Sequence, residues 1–138
     1  MAQILLSVGA SIFLVLGTLH GLLLLRDLVH PRAFTPTDES VRLAMQRASI
    51  ALSPRANLWQ AWLGFNLSHS LGAVLFGGGL LCLAWAHFAV FTQSIALQCV
   101  SVVVAAIYLV LSIRFWFWGP ALGSGVALAC ILGALVFS

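Results

Sequence analysis

Charge is what this chain has least of. Asp, Glu, Lys and Arg together make up 7% of its 138 residues, and none of them is a lysine. A soluble domain carries roughly 25%, so too few ions are present to cover a water-facing surface. A soluble globular enzyme is therefore excluded. The 62% of hydrophobic residues excludes a disordered chain, because disorder needs low hydrophobicity. Six arginines also fall short of the dense basic face that a nucleic-acid partner requires.

Other functional groups are equally sparse. The carboxylates are Asp27, Asp38 and Glu39, and none lies inside a long apolar run. A histidine within such a run would have no carboxylate partner for proton transfer. Cys82, Cys99 and Cys130 are odd in number and lack CxxC spacing, which argues against a disulfide framework or thiolate metal site. Each reads as a small buried apolar residue. No phosphate-binding, nucleophile-elbow, zinc-protease or dinucleotide motif is present. No catalytic or metal-binding residue is assigned, and enzymatic activity is not the expected role.

What the chain does have is apolar length. A membrane helix needs about 20 apolar residues. The sequence supplies spans at about 4–26, 60–85, 93–113 and 119–137, with Thr92 a candidate N-cap and Pro120 in the first turn of the last span. The first run is too long for a secretory signal and lacks a basic start and a cleavage site. The expected fold is an all-α, four-helix membrane bundle forming a single domain over 1–138. Four spans put segments 26–59 and 114–118 on one side, and those segments contain all six arginines. The positive-inside rule then places both loops in the cytoplasm and both termini outside.

The first loop is the one polar stretch. Thr35-Pro36-Thr37-Asp38 reads as a helix start, and Val41, Met45, Ala48 and Leu52 follow at helical spacing. An amphipathic helix over about 36–52 is expected, lying on the cytoplasmic leaflet or packed on the mouth of the bundle. Asp27 is expected to pair with a nearby arginine. Small residues form stripes: Gly17 and Gly21 on the first span, Gly64, Ser68 and Gly72 on the second, Ala121, Gly125, Ala129 and Gly133 on the last. Such stripes let helix backbones approach closely.

A few uncharged polar residues fall within the spans. His20 lies six residues before Arg26, and Tyr108 six before Arg114, a depth of roughly 9 Å each. Trp62, Asn66 and His69 share a helix face, and His69 lies roughly 12 Å from Ala61. On the third span Ser94, Gln98, Ser101, Ala105, Tyr108 and Ser112 make a polar seam. His20, Asn66, His69 and Tyr108 thus fall in one layer, with Trp62 at its mouth. Such groups serve either as glue between helices or as a binding site. Two imidazoles could also hold haem b axially, although no CxxCH motif is present.

The strings Gly17-Thr18-Leu19-His20-Gly21 and Asn57-Leu58-Trp59-Gln60-Ala61-Trp62-Leu63-Gly64-Phe65-Asn66-Leu67-Ser68-His69-Ser70-Leu71-Gly72 resemble a group of small four-span bacterial membrane proteins of uncharacterised function. The resemblance covers the first two spans and implies a bacterial inner membrane. Two functions remain open. The first is an accessory or self-associating membrane subunit, acting as a homo-oligomer or in a larger membrane complex. The alternative is binding or modification of an apolar ligand (lipid, quinone or haem b) at His20, Asn66, His69, Tyr108 and Trp62.

Overall fold

Long apolar runs without interior proline favour continuous helix, because every backbone N–H and C=O can then be satisfied within the segment. The computed structural model describes residues 1–138 and bears this out. Helix α1 spans Ala2–Asp27 and α2 spans Glu39–Arg47, followed by strands β1 (Ser49–Ile50) and β2 (Ser53–Asn57). Then come α3 (Leu58–Ala86), α4 (Phe88–Gln93), α5 (Ile95–Phe115) and α6 (Trp118–Val136). Four of them, α1, α3, α5 and α6, are long and apolar enough to cross a membrane. The chain divides into two compact units, Met1–Leu16 with Ala73–Ser138, and Gly17–Gly72.

The first unit is held by close contact. Its core gathers Leu6, Phe13, Leu80, Phe91, Ile131 and several alanines. Phe13 meets the ring of Phe76 edge-on at 4.9 Å and that of Tyr108 at 5.4 Å, the geometry aromatic quadrupoles prefer. Glycine sets the helix spacing. A Cβ on Gly77 would stand 2.5 Å from the backbone nitrogen of Leu14, and one on Gly9 would stand 2.9 Å from the carbonyl of Ala127. Neither gap admits a larger residue. The α4–α5 junction is capped by Ser94, whose hydroxyl accepts from Leu97 N. Thr92, the expected cap, lies inside α4 and donates to Ala89 O instead.

In the second unit the loop departs from expectation. Helix α2 begins after Asp38, whose carboxylate accepts from Ser40 N at 2.8 Å. Thr35 is not the cap. The helix also ends at Arg47 rather than near residue 52, because the chain turns into a two-stranded antiparallel hairpin. Ser53 precedes Pro54, and the residue before a proline is driven out of helical geometry into the extended region. Ile50 pairs with Ser53, and Ser49 with Asn57, with an irregular stretch between that holds Pro54. The N–H of Leu58 then donates to Ala48 O, tying the hairpin to the start of α3. No residue of α2 is fully buried, and Arg42 and Met45 are half-buried.

Candidate functional site

Assembly of the candidate site starts at the end of α1. Asp27 is buried, but it makes no ion pair with arginine; the one salt bridge in the chain joins Arg42 to Glu39. Its carboxylate instead accepts from the N–H of Ala33 at 3.0 Å, the N–H of Phe34 at 2.6 Å and the hydroxyl of Thr35 at 3.3 Å. Three donors on one carboxylate offset the cost of burying it and turn the chain back on itself. This places the Phe34 ring 4.5 Å from that of His20, centre to centre. The indole N–H of Trp62 donates to Phe34 O at 3.0 Å and fixes the segment from the α3 side.

Beneath Phe34 the second unit brings two histidines together. The His20 and His69 rings lie 5.5 Å apart, inclined at 58°. Asn66 is 1% exposed, and its amide donates to Trp62 O at 2.9 Å. Its amide oxygen is buried and accepts no hydrogen bond. The helices are held in register nearby, where the Ser70 hydroxyl donates to Gly17 O at 2.7 Å. A Cβ on Gly21 would stand 2.5 Å from that hydroxyl oxygen. Gly21 is therefore what admits Ser70.

Of the predicted site residues, His20, Asn66, His69 and Trp62 meet within Gly17–Gly72. Tyr108 belongs to the other unit and packs on Phe13. Ser101 and Gln98 of the third-span seam bond to carbonyls close by in sequence. Ser101 donates to Leu97 O, and Gln98 donates to the carbonyls of Phe91 and Thr92. The last span's small residues are used within the chain too. A Cβ on Gly123 would meet Leu16 at 2.8 Å, and one on Gly133 would meet Leu5 at 3.2 Å. Cys82 and Cys99 are exposed on their helices rather than buried, and no cysteine is paired.

The cluster can offer imidazole and amide groups to a polar atom, with aromatic faces at Phe34 and Trp62. It lacks a carboxylate to orient a histidine as a nucleophile's base. Nowhere do three His, Cys, Asp or Glu residues gather as a metal-ligand set. A separate apolar groove of about 450 Å³ runs along α1 from Ile4 to Leu16, bordered by Trp85, and contains none of these residues. Sequence reasoning missed the role of Asp27 and Phe34. The available signal was a lone carboxylate at the end of an apolar helix, followed within eight residues by a phenylalanine. The chain matches no protein-family model, no curated protein and no solved structure.

Proposed function

We propose that this is a multi-pass membrane protein that binds the polar head of an apolar molecule at His20, Asn66 and His69. The bilayer is read as a bacterial inner membrane, with the arginine-bearing loops cytoplasmic and both termini outside. One observation carries the ligand reading. Two imidazoles from different helices lie 5.5 Å apart beside a buried amide, under a phenylalanine whose backbone is anchored from both Asp27 and Trp62. Interhelical glue needs no such cover. Ser70 to Gly17 already supplies a direct hydrogen bond between the two helices. A quinone fits the chemistry: its carbonyl accepts from an imidazole N–H, and its ring can stack on an aromatic face.

The test is a titration of the reconstituted protein with a short-chain ubiquinone, read by quenching of Trp62 fluorescence in a chain whose other tryptophans are phenylalanine. Saturable quenching that is lost in His69→Ala and His20→Ala, with melting temperatures little changed, is the expected result. Quenching that survives both variants sinks the reading. An absorption spectrum of the purified protein separates the haem alternative, which requires a Soret band.

Self-association is the second reading, and one observation favours it. Cβ atoms added at Gly64, Gly78 and Gly79 on α3 would meet nothing within 4 Å. Native mass spectrometry decides it: a monomer with no copurifying chain removes this reading.

A further inference from the structure

We propose that α2 and the hairpin after it form a lipid-reading device, in which Leu52 inserts into the bilayer while Arg47 and Arg55 bind anionic phospholipid headgroups. The segment joins α1 to α3, and both are apolar enough to cross a membrane, so it is tethered to the membrane boundary at both ends. Several of its apolar side chains are exposed. Leu52, in the turn between β1 and β2, is 95% exposed, and Val41 and Leu43 of α2 are exposed as well. A fully exposed leucine at the tip of a hairpin has no partner within the chain, and hydrocarbon is the medium that rewards it.

The charges beside it specify which lipid. Arg42 is paired with Glu39, but Arg47 and Arg55 have no carboxylate partner. Arg47 closes α2 and Arg55 lies in β2, so the two cations flank the turn that carries Leu52. Basic side chains within a Debye length of an anionic leaflet are attracted to it, each with a definite and screenable contribution. The pattern matches that of interfacial helices, with apolar groups in the acyl boundary and arginines among the headgroups.

The test uses the full-length chain in nanodiscs, with its three cysteines replaced by alanine and a polarity-sensitive dye on Leu52→Cys. One disc type contains phosphatidylcholine alone, and the other an equal mixture with phosphatidylglycerol. The expected result is blue-shifted emission in the anionic discs that recedes as salt is raised. Arg47→Gln and Arg55→Gln should each lower the inserted population about fivefold. Emission identical in the two discs, or unmoved by both arginine variants, overturns the proposal and gives this face to a protein neighbour. If the cysteine-free chain does not reconstitute, hydrogen exchange of the unsubstituted protein over residues 47–57 replaces the dye. Slower exchange in anionic discs supports the proposal, and equal exchange overturns it.

Discussion

The two units of this chain join their helices by different means. In Met1–Leu16 with Ala73–Ser138, contact is made mainly by close approach, with one polar cross-link, the Gln3 amide donating to Ala84 O at 2.8 Å. Gly9 and Gly77 bring backbones together, alanines fill the seams, and hydroxyls such as those of Ser101 and Ser124 bond to their own helices. In Gly17–Gly72 contact is made by polar groups that reach across sequence. Ser70 bonds to Gly17, Trp62 to Phe34 and Asp27 to the chain beyond it. In lipid the hydrophobic effect does not drive helices together, so steric fit suffices where only association is needed. Buried polar groups cost free energy unless every partner is in place. A unit that bears that cost around two histidines is the one to examine for function.

The largest effect should come from breaking the steric unit. Gly77→Val forces a side chain against the backbone of Leu14, and overpacking of this kind costs about 1–3 kcal/mol or more. Gly78→Val, one residue on and open to its surroundings, should leave the melting temperature nearly unchanged. Thermal unfolding followed by size-exclusion fluorescence compares the two directly. Equal melting temperatures for both variants would show that the close approach at Gly77 is not what holds this unit.

Asp27→Ala comes next, in the polar unit. It removes the acceptor for two backbone N–H groups, and hydrogen bonds to a charged group are worth about 1.5–3 kcal/mol each. The expected loss is roughly 2–3 kcal/mol, less than the sum of the two bonds because the cost of burying the carboxylate is relieved with them, accompanied by faster hydrogen exchange at Ala33 and Phe34. Protection that persists in this variant would mean that the carboxylate does not hold the segment over His20. Ser70→Ala should cost less, about 0.6 kcal/mol, the average for a hydrogen bond between membrane helices. A loss several times larger, measured by unfolding in mixed micelles, would mean that Ser70 does more than join two helices.

The smallest effect belongs to the exposed loop. Hydrogen bonds from Ser40 hold the Asp38 carboxyl below its usual range, and the side-chain bond with Arg42 does the same for Glu39. A lowered folded pKa means that the stabilisation of α2 is present above the ordinary carboxylate range. It is lost as pH falls through the lowered value. The Ser40 amide resonance should therefore titrate with a midpoint below that of an unperturbed aspartate. A midpoint at or above the ordinary value would contradict the cap.

Much of the scaffold was legible because long apolar runs leave few options. Apolar runs of sufficient length must be helices, so spans predicted at about 4–26 and 93–113 emerge as Ala2–Asp27 and Ile95–Phe115. The face shared by Trp62, Asn66 and His69 followed from helical spacing alone, and the depth estimate paired it with His20. What could not be read was structure made by individual hydrogen bonds outside the period. Thr35 has the residue type of a cap but donates to Asp27, and Leu52 falls at a helical spacing but lies in a turn, because Pro54 acts on Ser53. The contact of Tyr108 with Phe13 was not legible either: depth gives a height along a helix, whereas a ring contact depends on azimuth and packing.

The decisive observation is where an apolar ligand with a polar head is held. The most direct measurement is photoaffinity labelling of the reconstituted protein with an azido-quinone, with the labelled residues mapped by mass spectrometry. Labels confined to Gly17–Gly72, on peptides carrying Phe34, Trp62 or His69, and suppressed by excess unmodified quinone, are the predicted result. Labels along the Ile4–Leu16 groove instead, or labelling that excess quinone does not suppress, would contradict it.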